Sequence, residues 1–191
     1  MAAETTDADV LGRCVDDASA FGELYERHGS VVVRYVARRV GGAAAEDLAA
    51  EVFVRAFRDR ASCRCEHGSA LPWLLGVASH VVADHRRFER RRLDSIKRWA
   101  AEAPGLVYHE HASLAPELVN ALKRLPADHR DALLLVVWGE LSYEEAAIAL
   151  GVPIGTVRSR IARARARLAA ALRPDSSSSA RELRAEGGAN V

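Results

Sequence analysis

A chain of 191 residues with a formal net charge of +1 has room for one domain or two small ones, and its overall charge selects no partner. Hydrophobic residues make up 49% of it, strand signals are scarce, and no apolar run approaches the roughly 20 residues that span a bilayer. The expectation is an all-α, soluble cytoplasmic protein without membrane insertion; Met1 to Asp9 is acidic and polar, unlike a signal peptide.

Met1 to Asp16 is expected to be loose. From Ala18 a helical pattern puts Phe21, Leu24, Tyr25, His28, Val32, Tyr35 and Val36 on one face, and Gly41-Gly42 ends it. A second helix is expected over Ala43 to Arg60, with Leu48, Val52, Phe53, Ala56 and Phe57 apolar. A loop follows to Leu71. It holds Cys63, Cys65 and His67, but zinc pairs are separated by two to four residues and a site needs four ligands. These read first as loop residues, with a metal or redox role the lesser reading, and an odd set of three cysteines gives no disulfide framework. No metal and no cofactor is expected.

Pro72 opens a third helix with a stripe of Trp73, Leu74, Val77, Ala78, Val81, His85 and Phe88. It ends strongly basic, with Arg86, Arg87, Arg90, Arg91 and Arg92. Asp94 to Ser113, containing Pro104-Gly105, reads as a linker. A second unit then begins at Pro116, with Leu118, Leu122 and Leu125 on one helix. Pro126 breaks it, an apolar helix runs from Asp128 to Trp138, and Gly139 closes that one. After Pro174 the Ser-, Gly- and Ala-rich tail reads as disordered.

The stretch from Leu141 to Ile161 reads as helix, tight turn and basic second helix, the layout of a helix-turn-helix. Ser142 and Glu145 form a capping box, Gly151 sits where the first helix must stop, and Pro153 suits the first turn of the next. Val157, Ile161, Ala164, Leu168 and Leu172 make one apolar stripe. Six arginines and no carboxylate lie between Arg158 and Arg173, whereas a merely solvated helix mixes signs. This face is read as DNA-binding. Two basic helices on a tether can grip two separated sites on one nucleic acid.

These pieces carry a resemblance. Phe21-Gly22-Glu23-Leu24-Tyr25, Ala45-Glu46-Asp47-Leu48 with Glu51-Val52-Phe53, Pro72-Trp73-Leu74 with Ala78, Leu122 with Leu125-Pro126, Arg130, and Leu141 to Ala166 occur in one order. Together they resemble the extracytoplasmic-function (ECF) sigma factors, the minimal two-domain members of the sigma-70 family of RNA polymerase sigma subunits. The resemblance implies two small helical domains joined by a flexible linker: a disordered N-terminus over 1–16, sigma region 2 over 17–92, a linker over 93–114, the sigma region 4 helix-turn-helix over 115–173 and a disordered tail over 174–191. It implies a non-enzyme that binds core polymerase, through its clamp helices and flap, and promoter DNA, with an anti-sigma factor as a further partner.

By that resemblance Asp47, Leu48, Glu51, Val54 and Arg55 meet the polymerase clamp. Asp47, Glu51 and Arg55 also fall at i, i+4 and i+8, so a self-contained salt-bridge ladder stands beside partner binding as a reading. Ala50 replaces a glutamine frequent in the family. The third helix and the loop before it would read the −10 element, with His80, Asp84, Arg86 and Arg87; His80 replaces a common asparagine. The last helix would read the −35 element, with Thr156, Arg158, Ser159, Ala162 and Arg163. The alternative function is a helix-turn-helix transcriptional regulator outside the polymerase, which the first domain would betray by a sensor pocket.

Overall fold

The computed structural model describes residues 5–63, 65, 68–99 and 115–173, with only the backbone for 93–99. Eight α-helices appear among the described residues: α1 (Asp7–Arg13), α2 (Gly22–Val40), α3 (Ala45–Arg58), α4 (Leu71–Trp99), α5 (Pro116–Arg124), α6 (Ala127–Val137), α7 (Tyr143–Leu150) and α8 (Ile154–Ala171). Short 3₁₀ turns precede α2 and α3 and follow α3.

The first four helices form one bundle. Leu24, Val32 and Tyr35 of α2, Val52 and Ala56 of α3, and Leu74, Ala78 and Val81 of α4 are buried in its centre. Their spacings are helical, so each helix offers one apolar stripe and the three stripes close on each other. Two T-shaped aromatic pairs, Phe21–Phe57 and Tyr25–Phe53, cover the α2–α3 seam. Gly41 ends α2 at φ 89°, a backbone region where a Cβ is strained.

The N-terminus departs from the expectation of a loose segment. Thr6 accepts from the Asp9 amide and Asp9 answers at the Thr6 amide, a complete capping box for α1. Val10 and Cys14 of this first segment are buried in the bundle. Asp7, 5% exposed, accepts from the Ala70 amide at 2.8 Å, from Arg27 at 2.9 Å and bonds His28 at 2.6 Å. One carboxylate thus ties α1 to α2 and to the head of α4. Burial raises the pKa of Asp7, but the Ala70 amide, His28 and Arg27 outweigh it and hold the carboxyl below its ordinary value.

The second bundle, α5 to α8, follows the expected order. Val119, Ala132, Leu135, Ala146, Val157, Ile161 and Ala164 form its interior. The Ser142–Glu145 capping box is closed in both directions, at 2.8 and 3.2 Å. Gly151 takes the left-handed conformation, φ 62°, at the end of α7. Gly139 closes α6 as expected, its amide donating to the Leu134 carbonyl at 3.1 Å. The left-handed residue between α6 and α7 is Glu140, φ 56°. A Cβ on Gly139 would lie 2.5 Å from the Leu135 carbonyl oxygen and 2.9 Å from a methyl group of Leu75, so this glycine also permits a close approach between bundles.

That approach is extensive. α7 packs on α4, and a Cβ on Gly76 would fall 2.3 Å from the Ala149 carbonyl oxygen. Beside it Arg39 of α2, 3% exposed, reaches across to Asp131 of α6. Its guanidinium also donates to Tyr35 Oη at 2.9 Å and Ser79 Oγ at 3.2 Å. α4 continues to Trp99, so the start of the segment read as linker is helical. The rest of that linker, with Leu106, and the tail after Pro174 lie outside the described residues.

Candidate nucleic-acid and protein interfaces

On α8 the buried residues Val157, Ile161 and Ala164 lock the helix onto its bundle, and the opposite face is turned out. Arg158, Ala162 and Arg163 are exposed there; Thr156 and Ser159 are half-buried, and Ser159 Oγ donates to the Thr156 carbonyl at 3.0 Å. Arg160 does not belong to this face. It pairs with Asp128 of α6 at 3.3 Å and fastens α8 from inside. Arg165 and Arg167 are exposed further along. The result is a cationic ridge with a methyl-sized gap at Ala162, a shape suited to a DNA groove.

α4 carries its polar candidates on a different footing. His80 is exposed. Asp84 accepts from Arg55 of α3 at 2.7 Å and from Arg87 at 3.2 Å, and these cations lower its pKa. Arg86 turns inward and donates to the carbonyl of Arg39. Burial, then the like charges of Arg39 and Arg130, push its pKa down to about 10. It is a guanidinium held in reserve in this arrangement, while Arg87, Arg90, Arg91 and Arg92 remain exposed. Phe88, expected on the apolar stripe, is 64% exposed among them.

On α3 the i, i+4, i+8 line is split. Glu51 accepts from Arg55 at 2.7 Å, and Arg55 is also committed to Asp84, so two of its three members sit in an intramolecular network. These hydrogen bonds hold the Arg55 guanidinium above its ordinary pKa. Asp47 is exposed at the acidic start of the helix, Leu48 is half-buried, and Val54 is 45% exposed beside the pair. The surface is an apolar residue flanked by charge, a form suited to another helix. Arg55 links this surface to the α4 surface directly, a connection the helical spacing alone did not give.

Sequence reasoning missed three residues that set the geometry: Arg39, Asp131 and Asp7. Each acts across more than one element, so periodicity carries no trace of it. A signal existed for Asp7, since Thr6-Asp7-Ala8-Asp9 followed by Val10 and Cys14 is a capping box before an i, i+4 apolar pair. Among the described residues no group of three His, Cys, Asp or Glu side chains is placed to hold an ion, and His67 of the cysteine loop lies outside the described residues.

Two family models match the chain, Sigma-70 region 2 over residues 24–92 and Sigma-70 region 4 over residues 116–168. The probable RNA polymerase sigma-C factor of Mycobacterium bovis is 42% identical over 150 residues, covering 75% of this chain and 78% of its own. The ECF RNA polymerase sigma factor SigD of Mycobacterium tuberculosis is 35% identical over 178 residues, covering 88% of this chain and 84% of its own. Among solved structures, CnrH in complex with the cytosolic domain of CnrY superposes with a TM-score of 0.59 at 25% identity, covering 87% of this chain and 97% of that one. The sigma factor RpoE of Bartonella quintana, solved with the anti-sigma factor NepR, gives 0.57 at 28% identity, covering 82% and 99%. Regions 2 and 4 fall on the two bundles just described, which sets aside a regulator working outside the polymerase. The chain belongs to the ECF sigma factors of the sigma-70 family, the sigma subunits that bind core RNA polymerase and direct it to promoters.

Proposed function

We propose that the two bundles divide promoter recognition, with α8 reading the −35 element as duplex and α4 with its preceding loop reading the −10 element. The observation that carries this reading is the outward face of α8, where Arg158, Ala162 and Arg163 stand clear of the buried Val157, Ile161 and Ala164. Arg163 and Arg158 supply fork-shaped donors for guanine edges, the Ala162 methyl fits a thymine methyl, and Thr156 and Ser159 hold phosphate near the helix start. On α4, His80 and the aromatic ring of Phe88 offer stacking surfaces to unpaired bases, with Arg87 on phosphate. Asp84 positions Arg87 and Arg55.

α3 meets the polymerase through Asp47, Leu48, Val54 and the Glu51–Arg55 pair. Grip of two separated elements parts the bundles docked through α4 and α7, which breaks the Arg39–Asp131 contact and frees Arg86 for phosphate. The Bartonella neighbour is held by an anti-sigma factor, which supports a protein partner of that kind for this chain as well. No described helix is long and apolar enough to cross a membrane, and the site of action is the cytoplasm, where polymerase works.

Reconstituted transcription tests the reading. With core polymerase the protein gives promoter-dependent transcripts. Arg163→Ala loses about 1–3 kcal/mol of −35 discrimination, the value of one good bidentate contact. Equal output from promoters scrambled at −35 removes α8 from the role given to it. Asp47→Arg lowers core binding and leaves the DNA affinity of the second bundle unchanged.

A further inference from the structure

We propose that Cys63 and Cys65 form a reversible dithiol–disulfide site in the loop before α4, oxidised by exchange with a low-molecular-weight disulfide. The two sulfurs lie 3.4 Å apart, already in contact, against about 2.05 Å in a disulfide. Both residues are half-buried and reachable, whereas Cys14 is sealed in the core at 1% exposure. Only Arg64 separates them in the chain.

The pair is unequal. Burial pushes both thiols up, and the nearby Asp7 carboxylate adds to it. The contact between them splits the two, raising Cys63 further and offsetting part of the rise at Cys65. Cys65 is therefore the attacking thiolate. It attacks one sulfur of the small disulfide RS–SR, forming Cys65–S–S–R and releasing RS⁻, which takes up a proton. Cys63 then gives up its proton, attacks Cys65 Sγ and expels the second RS⁻. The protein loses two electrons and two protons, and two RSH are formed. Both steps are slowed by the scarcity of thiolate, and the second is helped by the contact distance of the resolving sulfur.

The loop ends at Ala70, whose amide donates to Asp7 at the head of α4. Drawing the sulfurs together disturbs this anchor, so oxidation lowers use of the −10 element; this consequence rests on the promoter reading above. The full-length chain is incubated with oxidised glutathione, quenched in acid, denatured and alkylated, and its intact mass is measured. The reduced protein takes up three alkyl groups, one for each free cysteine. The oxidised protein is expected to take up one, at Cys14, and trypsin cleavage after Arg64 leaves the two halves of the loop joined until reductant is added. Cys63→Ser traps glutathione on Cys65, and Cys65→Ser leaves Cys63 largely unmodified. Three alkyl groups after oxidation, stable adducts in place of closure, or a bridge to Cys14 overturn the site. In transcription with core polymerase the oxidised protein is expected to yield several-fold less product from a −10-dependent promoter, while the Cys63→Ser/Cys65→Ser protein ignores the oxidant. Equal output from both redox states overturns the coupling. Absence of any promoter-dependent product in either state would instead sink the promoter reading, and the alkylation count still decides the dithiol.

Discussion

The N-terminal bundle is organised by directional polar contacts: buried Arg39 joins Tyr35 and Ser79 and reaches out to Asp131 of the other bundle, buried Asp7 joins three elements, and the partly exposed Arg55 bridges α3 to α4. The C-terminal bundle is held by apolar stripes and by helix ends, with a capping box, a left-handed glycine and one partly exposed ion pair, Arg160–Asp128. Helix length accounts for the closed ends, since the shortest helices, α1 and α7, each carry a complete capping box. α7 spans eight residues, too short to be stable alone, so its ends must be satisfied locally before packing completes it. α2 and α4 run for 19 and 29 residues, and long helices need only fixed relative positions, which directional polar contacts provide.

The largest effect that would break this contrast is expected at Arg39. Burial opposes its charge, but Tyr35 and Asp131 override burial and keep the guanidinium above its ordinary pKa. Arg39→Ala strips Asp131, Tyr35 and Ser79 of a shared partner at once. Removing one member of a buried ion pair costs about 3–5 kcal/mol, to be read from urea unfolding of the whole chain. A loss below about 1 kcal/mol, the range of an exposed pair, would mean that this bundle is held by its apolar core like the other. Gly76→Ala comes next. Its added Cβ meets backbone at Ala149, which cannot swing aside as a side chain does. Overpacking of this kind costs about 1–3 kcal/mol, and here the cost falls on the contact between bundles. Small-angle scattering should show a larger radius with unchanged helical circular dichroism. An unchanged radius would show that the two bundles adjust around the new methyl group.

The same contrast governs what the sequence made legible. The C-terminal bundle was readable because its determinants are local: Ser142 with Glu145, Gly151, Pro153 and the Val157–Ile161–Ala164 stripe act within a few residues of one another. Even there part of the reason for Gly139 is not local, because a Cβ would meet Leu75, far away in the chain, as well as the nearby Leu135 carbonyl. In the N-terminal bundle the helices were readable from their apolar faces, but their couplings were not. Arg39 reads as one more solvated arginine near the end of α2, and nothing local marks Asp131 as its partner. The α3 line was readable as a pattern with two outcomes; the structure puts Glu51 and Arg55 into an internal pair and leaves Asp47 outward. Phe88 fits a helical stripe by spacing, yet α4 runs past the end of the core before reaching it.

Smaller effects sharpen the comparison at the helix starts. Ser142→Ala removes the hydroxyl that accepts the Glu145 amide and is expected to cost about 1 kcal/mol, without pH dependence near neutrality. Asp7→Asn removes the charge and leaves one acceptor oxygen in place of two, so the amide accepts from Ala70 or from Arg27 but not from both. Because the folded state lowers the Asp7 pKa below its ordinary value of 3.8, the unfolded chain takes up the proton first as pH falls. The stabilisation is therefore complete well above 3.8 and drains away as pH drops through that value and then through the folded one. Wild type should exceed Asp7→Asn in urea midpoint at neutral pH, with the two converging in acid, whereas Ser142→Ala should stay below wild type by a constant margin around neutrality. A gap between wild type and Asp7→Asn that persists unchanged below pH 3.8 would assign the role of Asp7 to shape and hydrogen bonding, and the N-terminal bundle would then rest on one buried charge, Arg39, in place of two.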